Sequence, residues 1–406
     1  MAEVFSARPG HIAGLSNLVK EIGDDAGKCG TFVRTEGPPK GELFTGVIIS
    51  DLLTPLQLLC DMTSGRMSDL GTHTISTSTE LNKAAWMYHN QDMKTYQALN
   101  QHTHDVPSAT PQNVDGSTEK VGTTDPYTAA ENYPKKSEFK LEAPNVNRED
   151  LAGLIGEVSP VIGDVNESIK SVTRTVGEEF DPLAKLLTPI EGNWNEVRRI
   201  GEVYKAAGNA MEICGVNLEE GVKKVGPNWD GKAAISFETN WANRQIAAMK
   251  WEGPVGRLIA DLFGRFADSI RNGIKRALTA LKEMLEDYLD IKSIKGIFKQ
   301  VIKKIPGLGA IAEVMDLAHK ILTIMNKVKA IVDEIEQAKN QLKEFLSFLQ
   351  NPTQVAADNL NQRLEPALRQ TARAVDLNSA VRVNNTLDRP RESYEVGAGT
   401  DPWSNG

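Results

Sequence analysis

Cysteine is scarce in this sequence. The three that occur, Cys29, Cys60 and Cys214, are odd in number and far apart. That excludes a disulfide framework and the paired spacing of a zinc site. Cys60 and Cys214 fall on apolar helical faces and read as core rather than as nucleophiles. Basic charge is not in excess either: 46 Lys and Arg stand against 54 Asp and Glu, a net charge of −8. A nucleic-acid binder needs a basic face to neutralise phosphate, so that class is set aside. Long apolar runs are missing too. No window of about eighteen residues is both free of charge and strongly apolar, so nothing reads as a transmembrane helix. The opening "MAEVFSARPGHIAGLSNLV" has no basic region followed by an apolar one, which sets aside a standard secretory signal.

Enzyme signatures are also lacking. There is no Gly-rich loop ending in Gly-Lys-Ser/Thr, no Gly-x-Ser-x-Gly and no His-Glu-x-x-His. "HTHD" offers His102, His104 and Asp105, but it sits at the start of a polar stretch with no Cys nearby and reads as solvated loop. The expectation is a non-enzymatic protein with no catalytic residue, no metal and no cofactor.

What is present is helical periodicity. With 40% hydrophobic and 25% charged residues over 406 positions, the composition is that of a globular protein large enough for two or three domains. Ile12, Leu15, Leu18, Val19 and Ile22 predict a short helix over 11–28. "GTFVRTEGPPKGE" then breaks it with Gly and Pro. A long periodic run from Leu43 to about Leu99 follows, in which Pro55 starts or kinks a helix. Its segment "THTISTST" (72–79) has strand-like composition. No other segment of this half offers a partner strand, and a lone strand leaves its backbone groups unpaired, so helix is the better reading.

Further on, Ile190, Trp194, Val197, Ile200, Tyr204, Ala207, Met211, Cys214, Leu218, Val222 and Val225 recur every three or four residues. After the break "GPNWDG" the next helix shows Ala234, Phe237, Trp241 and Ala248, and "KWEGPVG" opens another. "KKIPGLGA" precedes a last long helix from about Ile311 to Leu349. The fold expected is all-α: helical hairpins packed as an elongated bundle. The organisation expected is a hairpin module at 1–100, a flexible linker at 101–147 and a second hairpin module at 148–250. A long-helix region at 251–350 and a polar, mostly disordered tail at 351–406 complete it; the tail has room for one more helix over 353–374, and the disorder is expected from Asn384 onward.

The turn "GPNWDG" carries more information than a plain hairpin needs. Pro227 disfavours helix at Gly226 and ends the first helix. Gly231 supplies backbone freedom, and Asp230 is placed to cap the next helix. Trp229 is too large for an exposed tight turn, so it covers something or is covered. The plain structural alternative is a plug at the end of its own bundle. A second short element lies in "AAWMYHNQDMKTY" (84–96), where Tyr88 and Asp92 stand at i and i+4 on one helix face. A similar Tyr127 and Glu131 in "YTAAE" fall in the linker.

Helix, Trp-x-Gly, helix resembles the WXG family of helical-hairpin proteins exported by type VII secretion systems. The resemblance runs from Trp194 to about Met249, with Trp229 and Gly231 at the family turn. Residues 1–100, with the Tyr-x-x-x-Asp element after a hairpin, resemble the EspC family of secretion-associated proteins. In the first loop, Phe32 or Phe44 stands in for the missing Trp-x-Gly. The resemblance implies that Tyr88 and Asp92 act as an export signal and that Trp229 and Gly231 form the partner turn. In such systems the two elements lie side by side on two partner proteins. Here both are in one polypeptide, so Tyr88 is expected close to Trp229. It implies a secreted or envelope-associated protein without a cleaved signal peptide. Its partner would be the secretion machinery, an ATPase or a chaperone, with a second copy of the chain or a membrane surface as further partners.

One alternative uses residues 255–326 as a membrane-active or pore-forming region. "IKSIKGIFKQVIKKI" sets Lys292, Lys295, Lys299, Lys303 and Lys304 opposite an apolar face, the pattern of a helix on an anionic membrane or of a bundle helix with a solvated face. A third reading is a cytoplasmic helical scaffold or chaperone.

Overall fold

The computed structural model describes residues 6–40, 47–100, 125–145, 149–175, 180–188, 190, 192–288, 319–368 and 373–396. Its first helix, α1 (Pro9–Glu36), starts where Pro9 can sit without a partner for a missing N–H. The short α2 (Val47–Ser50) leads into the 48-residue α3 (Leu53–Asn100), which returns antiparallel along α1. α1 runs past the expected end at residue 28 because Cys29 and Val33 continue its buried stripe. The break comes at Gly37 and the two prolines after it, while Gly30, earlier in the same segment, stays within the helix as a contact point. A Cβ on Gly30 would come within 2.9 Å of the Ser64 carbonyl oxygen, and one on Gly71 within 2.9 Å of the Gly23 carbonyl oxygen. Only glycine lets the two backbones lie that close.

The hydroxyl-rich segment 72–79 lies inside α3 as helix. Its hydroxyls find acceptors on the chain: Thr74 Oγ1 donates to the Leu70 carbonyl at 2.7 Å, and Ser78 Oγ to that of Ile75 at 2.6 Å. The buried Gln245 reaches in and donates to the Leu70 carbonyl and to Thr74 Oγ1. Satisfied in this way, the hydroxyls need not compete with the helix for its backbone groups.

Three short helices follow: α4 (Leu151–Val158), α5 (Pro160–Thr175) and α6 (Pro182–Leu187). Asp150 caps the first and Asp181 the third. The second long hairpin pairs α7 (Trp194–Val225) with the run α8 (Lys232–Ser236), a π-helix (Phe237–Ala242) and α9 (Asn243–Tyr288). Every residue of the apolar series from Ile190 to Val225 is buried. α1 packs on α7, and α3 meets α9 through Arg66 with Glu252 and Thr74 with Gln245, so the two hairpins form one four-helix bundle.

The break expected at "KWEGPVG" does not occur. α9 continues through Pro254 and across the boundary expected at residue 250. A proline inside a helix costs about 3 kcal/mol. Here Trp251, Val255, Leu258 and Ile259, all buried, hold the helix on both sides of it. Gly208 and Gly256 let α7 and α9 approach, since a Cβ on Gly256 would lie 2.4 Å from the Tyr204 carbonyl oxygen.

The C-terminal part comprises α10 (Met325–Gln350), α11 (Gln354–Leu368), α12 (Arg373–Ala380) and α13 (Asn384–Leu387). α10 lies along α9, and α12 docks on it. α11 lies within 353–374, where the polar tail has room for one more helix, and the disorder expected from Asn384 onward is corrected over residues 384–396. Leu377, Ala380, Val383 and Tyr394 are buried, the Trp251 indole donates to the Ala380 carbonyl at 2.9 Å, and Arg257 pairs with Asp376. A few spaced anchors hold a segment whose average composition is polar.

The flexible linker is corrected in its second part. Residues 125–145 are non-helical and lie along the bundle: Tyr133 is buried, and the Glu131 N–H donates to the Gly10 carbonyl at 2.8 Å. The side chain of Asn217 accepts from the N–H groups of Lys136 and Ser137 and donates to the Ser137 carbonyl. Residues 101–124, including "HTHD", lie outside the described residues, as do all five lysines from Lys292 to Lys304. The described chain is all-α. Among the described residues the sole β-type pairing is an isolated bridge between Ala7 and Trp229.

Candidate functional site at the end of the second hairpin

α7 ends at Val225 and the chain turns through a single 3₁₀ turn, Gly226–Asn228. Trp229 follows in extended conformation (φ −148°, ψ 110°). Gly231 then takes φ +91° and ψ −176°, a region almost confined to glycine that costs a residue with a side chain about 1–3 kcal/mol. That one residue redirects the chain into α8. The cap expected from Asp230 is a correction. Gly231 occupies the N-cap position with no side-chain bond, while the Asp230 carboxylate accepts from the Ser6 N–H. Residues 6–8 run antiparallel to the turn: Arg8 N–H donates to the Asn228 carbonyl and Asp230 N–H to that of Ser6, both at 2.9 Å. Asp230 is thus used to tie down the segment before α1.

Extended backbone at Trp229 aims its ring into the bundle, where it is 3% exposed. Its indole N–H donates to the Tyr88 hydroxyl at 3.4 Å. The residues singled out in two distant stretches of sequence therefore meet. Tyr88 is itself 5% exposed, and burial pushes its phenol above the ordinary value, opposed by the Trp229 hydrogen bond and reinforced by the charge of Asp230. Asp92 stands one turn further along α3 and is exposed.

The Trp229 ring leans on Phe237, with centroids 5.4 Å apart, and Phe237 stacks on Trp241 at 5.7 Å. Tyr394 meets Phe237 edge-on at 5.3 Å. These partners were not singled out from the sequence. Phe237 and Trp241 at i and i+4 gave a signal read only as core, and Tyr394 gave none.

A second aromatic group lies on the same stretch of α3. Trp86 donates from its indole to the Asp125 carbonyl at 3.0 Å, and Tyr127 packs across Trp86 at 4.9 Å. The Tyr127 hydroxyl is 3.2 Å from His89 Nδ1. Asn82 holds this strap as Asn217 does further along, donating to the Asp125 carbonyl and accepting from the Tyr127 N–H. Because residues 127–131 are not helical, Tyr127 and Glu131 do not share a helix face.

The thiols of Cys29, Cys60 and Cys214 are free and buried. Cys29 beside it and burial push the Cys214 thiol well up, and burial raises that of Cys60. Among the described residues no group of His, Cys, Asp and Glu is placed to hold a metal, and no helix is long and apolar enough to cross a membrane. Compared with protein-family models, with curated proteins and with solved structures, the chain matches none.

Proposed function

We propose that this chain is a non-enzymatic substrate or secretion-associated protein of a type VII secretion system, carrying both halves of a composite recognition element in one polypeptide. The observation that supports this reading most is the 3.4 Å contact between Trp229 and Tyr88. The resemblance to the WXG and EspC families implies that contact, and nothing in the local sequence of either stretch requires it. Both rings are buried, so a partner would read what they hold in place: Asp92 on the surface of α3 and the end of the second hairpin, where Ile235 is 60% exposed. Trp229 and Gly231 set the shape of that end, and Tyr88 locks it to α3. The location that follows is secreted or envelope-associated, without a cleaved signal peptide, with an ATPase or chaperone of the secretion machinery as the partner.

No observation favours the membrane-active reading over this one. Within residues 255–288 the apolar side chains Leu258, Leu262, Phe266, Ile270 and Ile274 are already buried in the bundle. The scaffold or chaperone reading differs from the proposal in one outcome, whether the protein leaves the cell. The test is an export assay of the intact chain in a type VII-competent actinobacterium, beside Tyr88→Ala and Trp229→Ala variants shown to be folded by circular dichroism. The proposal expects the intact chain in the medium and both variants inside. Retention of all three in the cytoplasm would overturn it and leave Trp229 an ordinary bundle plug.

A further inference from the structure

Two non-helical segments lie across the bundle, and they are held very differently. Residues 125–138 are clamped by the backbone-reading amides of Asn82 and Asn217 and by the Gly10 carbonyl. α1 is also shaped for them: a Cβ on Gly14 would lie 2.3 Å from the Glu131 carbonyl oxygen, and one on Gly10 would lie 2.6 Å from that of Ala129. Residues 390–396 have no such cradle. Among the described contacts, two backbone N–H groups hold them, Tyr394 to Thr77 Oγ1 at 3.0 Å and Val396 to a Glu80 carboxylate oxygen at 3.3 Å. The one buried side chain that fixes them is the ring of Tyr394, set against Phe237.

The seat under Tyr394 is incompletely filled. A cleft of about 360 Å³ runs between the segment and the π-helix, lined by Ser236, Asn240, Trp241, Pro390, Ser393 and Tyr394. Trp241 lines this cleft and is 2% exposed, and its indole N–H has no hydrogen-bond partner among the described residues. An unpaired buried donor costs about 1–3 kcal/mol. The backbone beneath is a π-helix, a form that occurs mostly as short bulges and often at functional sites. The same cluster supports the Trp229 ring, and Tyr88 is close enough to Tyr394 to raise its phenol, after burial itself.

We infer that residues 390–396 are a detachable latch on an aromatic docking surface formed by Trp229, Phe237 and Trp241. The occupant that replaces the latch is an extended peptide segment of a partner protein, presenting one aromatic ring to Phe237 and a carbonyl oxygen to the Trp241 indole. The second contact is one that the latch itself does not make, so such a segment gains a hydrogen bond that the resting chain lacks. When the latch leaves, α12 stays on α9 through Asp376 and Ala380, and α13 through its own packing on α9. The inference rests on the recognition reading only in identifying the partner with the secretion machinery.

The test uses the full chain. Native-state hydrogen exchange is followed at the amides of Tyr394 and Val396 and along α7, in the wild type, Tyr394→Ala and Tyr394→Phe. A labelled peptide of residues 388–396 (DRPRESYEV) is then added in trans. In the wild type the two latch amides should exchange about a hundredfold faster than those of α7, by local opening. Tyr394→Ala should lose protection at the latch alone and bind the peptide, while Tyr394→Phe keeps protection and excludes it. Latch amides as protected as α7, loss of protection throughout α7 and α9 in Tyr394→Ala, or no peptide binding to that variant would each overturn the latch. None of these readouts depends on export, so the latch and the recognition reading fail separately.

Discussion

Trp-x-Gly occurs twice in this chain, as Trp229-Asp-Gly231 and Trp251-Glu-Gly253, and the two copies do different things. The first sits between helices with Trp229 extended and Gly231 at φ +91°. The second lies inside α9, where Gly253 faces the Glu212 side chain and makes room for it. Trp229 donates to a side chain 141 positions away, the Tyr88 hydroxyl. Trp251 donates to the Ala380 carbonyl and carries the Arg66 guanidinium over its ring at 5.1 Å. The middle residues diverge as well. Asp230 is exposed and secures residues 6–8, whereas Glu252 is 1% exposed and pairs with buried Arg66. Three letters of sequence do not define the element. The backbone around them does, and it follows from whether the flanking apolar stripe continues through the motif or stops at it.

That contrast can be broken in stages. The largest effect is expected at the second copy. Glu252→Ala leaves Arg66 charged and unpaired in the interior, which should cost about 3–5 kcal/mol in urea unfolding. Replacing the pair together, Arg66→Met with Glu252→Leu, should recover most of that loss. If Glu252→Ala alone proves neutral, the pair is not buried as described. At the first copy, Gly231→Ala should cost about 1–3 kcal/mol through the backbone conformation alone. A cost near zero would mean that the turn adopts another conformation. Tyr88→Phe should be milder still, about 1 kcal/mol, since it removes the acceptor that the Trp229 indole finds among the described residues while keeping the ring. A double-mutant cycle with Trp229→Phe should show coupling between the two sites, and strict additivity would argue that the 3.4 Å contact carries no energy.

Much of the fold was legible because apolar spacing reports burial directly. The series from Ile190 to Val225 gave α7 nearly residue by residue, and the lack of a partner strand was enough to place 72–79 in a helix. What stayed hidden depends on partners far away in sequence. Gly30 and Pro254 look like breakers locally. One is a contact point with α3, and the other is carried through by buried side chains on both sides. Residues 125–138 have few apolar side chains, yet Asn217, 80 positions away, reads their backbone. Tyr394 has nothing in its neighbourhood to distinguish it, and its value comes from Phe237. Of the candidate site, Tyr88 and Trp229 were found because a family resemblance linked two patterns that are each weak alone. Asp230 was assigned a capping role on local grounds, and the segment before α1 took it instead.

Tyr88 and Trp229 are both buried, so their removal disturbs the bundle as well as any surface it presents. Asp92 is free of that ambiguity. It is exposed on α3, and its loss should change stability by no more than about 0.5 kcal/mol. The most direct measurement is therefore export of Asp92→Ala beside the intact chain from a type VII-competent host, with thermal unfolding of both purified proteins in parallel. The account predicts identical unfolding, intact protein in the medium and Asp92→Ala retained in the cell. Equal export of the two would contradict it, because the exposed half of the Tyr88–Asp92 element would then play no part in recognition.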